Sequence, residues 1–561
     1  AASMKPIEPE MARIGQIQNL EQLQTEVAQL QTHGTSALFY FSSGQDDKDS
    51  TQIIAQTGQG GLGLPDRDYY TKQDDRSKGL RQKYEQHISR MFVLAGDAPD
   101  VATAEAHTAM TIETQLAEAS KTAVQLRDPL TNYHKLSVTE LQALTPDFSW
   151  SAYFRDIDAP NIANVNVGQP EFMQALDKQL TTVPLADWKT YLRWHLLHSA
   201  ATALSSKFVD ENFDFFDRTL TGAKELTPRW KRCVNTTDRT LGEALGQKYV
   251  ADYFPPAAKA QAHAMVENLV AALRSDLQTL PWMSEPTRQQ ALAKLASMTL
   301  KIGYPDKWRD YSAYTVVRTS YIDNLRQGRA FEFQRAMNKI GKPVDRTEWE
   351  MTPPTVNAYY DAEMNEIVFP AGILQFPFFD PKQDSALNYG AIGAVIGHEM
   401  THAFDDEGSQ YDAQGNLRNW WTPEDRKNFD ERAACIAKQF DGFVVAGDTH
   451  ENGKLVLGES IADLGGLTIS HMAFENSLKG KPAPRKKDGF TAEQQFFLAF
   501  ARVWGTSARP EYEQSRVVVD PHPLPRFRVT GVVQNMPEFA AAFDCQAGDA
   551  MVPAAPRCKI W

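Results

Sequence analysis

The stretch VIGHEMTHAFDDEG, residues 395–408, carries two histidines four positions apart, with a glutamate directly after the first. It sits within NYGAIGAVIGHEMTHAF, 388–404, where Ile392, Ile396, Met400 and Ala403 fall on one helical face. His398 and His402 are then one turn apart, and both imidazoles can point to one spot. Two nitrogens so placed fill two corners of a zinc tetrahedron. Glu399 is displaced by about 100° around the helix. From there it reaches a metal-bound water rather than the metal, as a general base must. The same five residues also occur as plain helical histidines, and the pattern alone does not choose. His195 and His198, in RWHLLHSA, serve as a control: their spacing is three, no carboxylate is adjacent, and they read as structural.

A catalytic zinc needs a third protein ligand and an open position for water. The residues after His402 read AFDDEGSQYD, so no third histidine follows closely. The remaining candidate is LVLGESIADLGGL, 455–467, where Glu459 opens a helical run 57 positions after His402. Asp463 lies one turn further on the same face. Glu459 can ligate zinc while Asp463 accepts the other ring proton of a ligand histidine, fixing its tautomer. Two exposed acids at a helix start, where acids are favourable anyway, is the alternative.

At 561 residues the chain is too long for one core, and two domains are expected. The composition, 42% hydrophobic and 23% charged, is that of a globular protein. A net charge of −13 argues against nucleic acid or an anionic membrane as a general partner. No apolar run approaches the roughly 20 residues of a membrane helix. The quoted sequence opens AASMKPIEPEMARI, without a signal peptide, and removal of an upstream segment is expected. Cys233, Cys435, Cys545 and Cys558 form no CxxC pair, which argues against a cysteine-held zinc. Two disulfides in an oxidising compartment and buried thiols in a cytosolic enzyme both remain open.

The first three hundred residues have helical periodicity, as in EPEMARIGQIQNLEQLQTEVAQLQT and AKAQAHAMVENLVAALRSDLQTL, with ALFYFSS, 37–43, a short strand. The character changes at GYPDKWRDYSAYTVVRTS, 303–320. The expected division is a mostly helical domain, 1–315, and a second domain, 316–561. NAYYDAEMNEIVFP, 357–370, reads as two short strands around a turn. GKPAPRKKDG, 480–489, reads as a solvated basic loop.

Beyond the histidine and glutamate stretches, the chain carries NAYY (357–360), IVFPAGILQFPFF (367–379), FFLAFARVWGTSARPEY (496–512), VVVDPHPLPRFRVTGVVQNMPEFAAAF (517–543) and a terminal CKIW. The first half adds LGLPDRDYY (62–70) and PRWKRCV (228–234). With NYGAIGAVIGHEMTHAFDDEG and GESIADLGGL, these blocks closely resemble the neprilysin family of zinc metallopeptidases, in the family's order and along essentially the whole chain. The resemblance implies a mainly α (α+β) fold: two largely helical domains enclosing a cavity, the C-terminal one thermolysin-like and catalytic, the other restricting entry to oligopeptides.

It also implies roles. His398, His402 and Glu459 match the ligands of one zinc ion, Glu399 the general base, and Asp463 the acid behind a ligand histidine. His522 matches the transition-state stabiliser, and Arg528 the residue that binds a substrate carbonyl. Asn357 and Ala358 match edge-strand residues that hydrogen-bond an extended peptide. Ile373, Phe378, Val395, Val503 and Trp504 match the wall of an apolar pocket, implying cleavage on the amino side of hydrophobic residues. Cys435 and Cys558 match a family disulfide, whereas the usual partners of Cys233 and Cys545 lie upstream of the quoted sequence. The low cysteine count resembles bacterial members, and a periplasmic or secreted location is expected, with oligopeptides as partners and a monomeric state. Some members use an arginine from the upstream region to bind a free carboxylate, so dipeptide release is left open.

Overall fold

The computed structural model describes residues 4–482, 484–553 and 557–561. The fold is mainly helical, with small sheets. Two compact units are present, each assembled from three segments: 1–233, 310–344 and 509–519 form the first, and 234–309, 345–508 and 520–561 the second. This differs from a single boundary at 315. The helix Tyr321–Met337 belongs to the first unit, and the chain after it pairs with residues 51–53 of that unit's sheet. There Gly341 donates to the Ile53 carbonyl, Ile53 to the Lys342 carbonyl, and Val344 to the Thr51 carbonyl.

In the first unit, β1 (Phe39–Asp46) and β2 (Asp49–Gln59) form an antiparallel hairpin, and β3 (Lys135–Ser137) and β4 (Asn164–Val167) complete a sheet of order β1-β2-β4-β3. The expected strand at 37–43 is thus the start of β1. The long N-terminal helical stretch is two helices, Glu8–Gln16 and Leu20–Thr32, because Asn19 caps the second by accepting from the Gln22 amide. Phe39, Phe148, Trp150 and Tyr153 pack mostly edge to face or tilted between sheet and helices. His195 lies 3.0 Å from the fully buried Glu113, which also accepts from Tyr70, Tyr84 and Trp194. Burial holds the neighbouring His198 neutral, pushed down to about 3. His195 is buried and His198 partly buried, and both are structural, as expected.

In the second unit, β5 (Thr299–Gly303), β6 (Tyr359–Asp361) and β7 (Glu366–Pro370) form a sheet of order β5-β7-β6, leaving β6 at the edge. The predicted pair of strands around a turn is β6 and β7, paired antiparallel, with Asn365 at φ 45° in the turn. Cys435 and Cys558 form a disulfide, while Cys233 and Cys545 are not disulfide-bonded. The basic loop at 480–489 is exposed where described, and Ala483 lies outside the described residues.

Two helices of the second unit carry the site. The histidine helix, Ala394–His402, follows a π-turn at Tyr389–Gly393. The glutamate helix, Leu457–Leu478, is buried along most of its length. They cross where Gly397 faces Gly466. A Cβ on Gly397 would stand 2.5 Å from the Gly466 carbonyl oxygen, and one on Gly466 would collide with the His398 amide nitrogen. Ser470 Oγ, on the glutamate helix, donates to the Tyr389 carbonyl (2.6 Å) and locks the π-turn to its neighbour. Gly466→Ala is therefore expected to lower stability by about 1–3 kcal/mol and to reduce the metal the protein retains. Thermal unfolding and elemental analysis check this, and wild-type values for both would contradict the crossing as described.

Candidate metal centre

The histidine helix brings two imidazoles together, as its four-residue spacing dictates. His398 Nε2 and His402 Nε2 stand 3.0 Å apart, with the rings nearly perpendicular. Glu459, in the first turn of the glutamate helix, places its carboxylate 3.2 Å from His398 Nε2 and 3.6 Å from His402 Nε2. His398, Glu399 and His402 each also offer a donor atom within 4.8 Å of the others. All these residues are in the second unit.

Carboxylates behind the rings decide which ring nitrogen carries the proton. His398 Nδ1 lies 2.8 Å from Asp463 Oδ1, and His402 Nδ1 lies 2.6 Å from Asp405 Oδ2. Each Nδ1 therefore holds hydrogen and donates, which makes Nε2 the nitrogen that can turn a lone pair to a metal. Two lone pairs and a carboxylate now face one point. The two Nε2 atoms are 3.0 Å apart, and Glu459 brings Oε2 to 3.2 Å from His398 and Oε1 to 3.6 Å from His402, separations close to the edge of about 3.3 Å expected for a tetrahedron with bonds of roughly 2.0–2.1 Å.

The electrostatics favour positive charge at this point. Burial disfavours a charged His398, yet Asp463 and Glu459 outweigh it and hold the ring up to about 10. Glu459 is kept well below the usual carboxylate range, because His402, His398 and His522 overcome its burial. Asp463 stays ionised against its burial through Arg528 and His398. Burial pushes Glu399 up, against the pull of His398 and His402. The donor set fits a divalent metal of the zinc type, two imidazoles and one carboxylate.

The other expected residues are distributed around this cluster. His522 Nε2 lies 3.3 Å from Glu459 Oε1, and its Nδ1 pairs with Asp520 Oδ1 at 2.7 Å. Arg528 donates through Nε and Nη2 to the two oxygens of Asp463, both at 2.7 Å, and through Nη2 to Glu459 at 3.3 Å. Among the described residues its Nη1 has no hydrogen bond. The Trp504 ring lies 4.0 Å from its guanidinium carbon. Val503 ends the helix Ala492–Val503, and Val395 is half-buried on the histidine helix. Phe378 is tied to the π-turn before that helix by its carbonyl, which accepts from the Ile392 amide at 3.1 Å, and Ile373 is buried in the same loop. Asn357 is exposed and Ala358 buried, both directly before β6, which packs on the histidine helix.

Asp405 has no role in the sequence analysis, yet it pairs with His402 as Asp463 pairs with His398. Its other oxygen accepts from the Glu407 and Gly408 amides, at 2.9 and 2.7 Å. A Cβ on Gly408 would collide with the His402 carbonyl oxygen, so glycine is required for this turn. The available signal was an acid three positions after the second histidine, one turn on along its face.

A helical pair of histidines meeting a carboxylate from a second helix defines a metal-dependent hydrolase, and comparison with known proteins makes the class specific. The profiles of Peptidase family M13 match residues 1–305 for its N-terminal part and 357–560 for its peptidase part. Endothelin-converting enzyme 1 of Bos taurus is 35% identical over 542 residues, covering 94% of this chain and 71% of that protein. Neprilysin-3 of Drosophila melanogaster is 33% identical over 549 residues, covering 94% and 69%. The Mycobacterium tuberculosis zinc metalloprotease Zmp1, in complex with inhibitor, superposes with a TM-score of 0.96 at 40% identity, covering 100% of this chain and 86% of that one. PepO from Lactobacillus rhamnosis gives 0.87 at 30% identity, covering 100% and 88%. The chain belongs to peptidase family M13, and it is a metalloendopeptidase.

If the two carboxylates fix the rings, Asp463→Asn and Asp405→Asn each weaken metal retention by roughly 10- to 100-fold. Asp463→Asn has the larger effect, since it also removes the closer of the two ion pairs of Arg528. Competition against a chelator measures this, and wild-type retention in both variants would contradict it.

Proposed function

We propose that the metal is zinc, held by His398, His402 and Glu459, and that the enzyme cuts oligopeptides on the amino side of hydrophobic residues. The observation that carries this reading is the convergence of two imidazole lone pairs and one carboxylate beside a buried Glu399. A zinc ion there supplies Lewis acidity, polarising the scissile carbonyl and acidifying a water. The remaining steps belong to the chain's own side chains. Glu399 takes the proton from the attacking water and hands it to the leaving amine. His522, oriented through Nδ1 by Asp520, donates from Nε2 to the oxygen that gains charge. Arg528, with Nε and Nη2 occupied by Asp463 and Glu459, offers Nη1 to a substrate carbonyl.

The substrate lies extended along the edge at Asn357 and Ala358, held by main-chain hydrogen bonds. Its side chain beyond the scissile bond enters the apolar set Ile373, Phe378, Val395, Val503 and Trp504. Restriction to short peptides follows the kinship of both halves of the chain with the family. The Cys435–Cys558 disulfide supports a location outside the cytoplasm. No helix of the described residues is long and apolar enough to cross a membrane.

Digestion of an oligopeptide mixture, read by mass spectrometry, tests the reading. Zinc-loaded wild type is expected to cut before Phe, Leu, Ile and Val. Glu399→Gln is expected to lose at least about 10²-fold in rate while keeping its metal. Equal cleavage by Glu399→Gln would remove it as the base. Full-length casein degraded as fast as a decapeptide would remove the size limit.

A further inference from the structure

The three most exposed large apolar side chains of the second unit, among the described residues, are Val356 (65%), Tyr253 (64%) and Phe376 (62%). Singly, an exposed apolar residue needs no explanation. These three, however, are distant in sequence and border one loop, Ala371–Phe379. The Gly372 amide donates to the Pro353 carbonyl at 2.8 Å, and a Cβ on Gly372 would collide with the carbonyls of Pro354 and Thr355. Val356 therefore emerges beside the loop. Gln375 Nε2 donates to the Tyr253 carbonyl at 3.1 Å, which fixes Tyr253 next to it. Phe376 stands within the loop itself.

The Phe376 ring is braced. The Arg502 guanidinium carbon lies 4.7 Å from its centroid, and the Arg502 side chain has no ion pair or hydrogen bond among the described residues. A cation over one aromatic face limits the ring's motion and leaves its remaining surface free, so less order is lost when something binds there. The loop and the Arg502 segment also carry Ile373, Phe378, Val503 and Trp504, the residues assigned above to the pocket. Val356 directly precedes Asn357 and Ala358, assigned to the substrate's main chain. The apolar surface is thus continuous with the peptide's path rather than isolated on the exterior.

We propose that Phe376, braced by Arg502 and flanked by Tyr253 and Val356, forms a ledge that binds a second bulky apolar side chain of the substrate, on the leaving-group side beyond the pocket residue. An extended peptide advances about 3.3 Å per residue and turns alternate side chains to opposite faces. A side chain one or two positions past the pocket residue is therefore the one that meets the ledge. The enzyme then selects peptides by two apolar side chains, and the Arg502 charge disfavours lysine or arginine at the second position. This inference rests on the peptide placement proposed above.

A peptide series with one fixed cleavage site tests it, with Phe, Ala or Lys placed in turn at each of the three positions after the pocket residue. The readout is kcat/KM for wild type, Phe376→Ala and Phe376→Leu, with melting temperature and metal content measured alongside. In wild type, Phe is expected to exceed Ala by roughly three- to tenfold at one position, with Lys the poorest. In Phe376→Ala that Phe/Ala ratio falls to near one, and Phe376→Leu restores part of it. A ratio unchanged in Phe376→Ala, or a loss equal for every peptide, overturns the ledge. Wild type that cleaves none of the series overturns the peptidase reading, and the ledge with it.

Discussion

The crossing of the histidine helix and the glutamate helix sets everything at the centre. At Gly397 and Gly466 the two backbones approach until there is no room for a Cβ. That proximity carries Glu459, two turns before Gly466, to within 3.2–3.6 Å of two imidazole nitrogens that its own helix does not contain. A wider crossing, with ordinary side chains between the helices, would leave the histidines as a two-ligand fragment. The surroundings reinforce the approach. Ser470 bonds the Tyr389 carbonyl of the π-turn, and Gly465 makes space for Trp561 and Thr401.

Around this crossing the charges are arranged as nested pairs. Asp463 and Asp405 sit behind the two histidines, and Arg528 sits behind Asp463 with two parallel hydrogen bonds. Asp463, Asp405 and Glu459 each thus have a partner, which keeps these buried acids tolerable in a low-dielectric interior. The pairs direct the proton to each Nδ1 and leave Nε2 bare. The protein has in this way prepared a site for a cation between two imidazole nitrogens and one carboxylate.

The sequence displayed some of this plainly. The histidine spacing, the acid pair at 459 and 463, and the two strands around the Asn365 turn are local patterns, and periodicity reads local patterns well. Asp405 was missed because its partner is identifiable only once the turn at Gly408 is seen to fold the chain back. The interleaved units were missed for a related reason. The strip at 341–344 joins the sheet of the first unit through pairing with β2, a long-range contact that leaves no periodic trace. His522 and Arg528 look ordinary in a single sequence, and family resemblance alone gave them roles. The structure supplies a physical ground for attending to them, since both contact Glu459.

X-ray absorption spectroscopy at the zinc edge, on the zinc-loaded protein, decides the ligand set directly. The predicted spectrum has two imidazole nitrogens at about 2.0–2.1 Å and low-Z oxygen donors from a carboxylate and water. Glu459→Ala should alter the oxygen shell and leave both imidazoles in place. A third imidazole, which would make His522 a ligand, or a sulfur donor would contradict the site built from His398, His402 and Glu459.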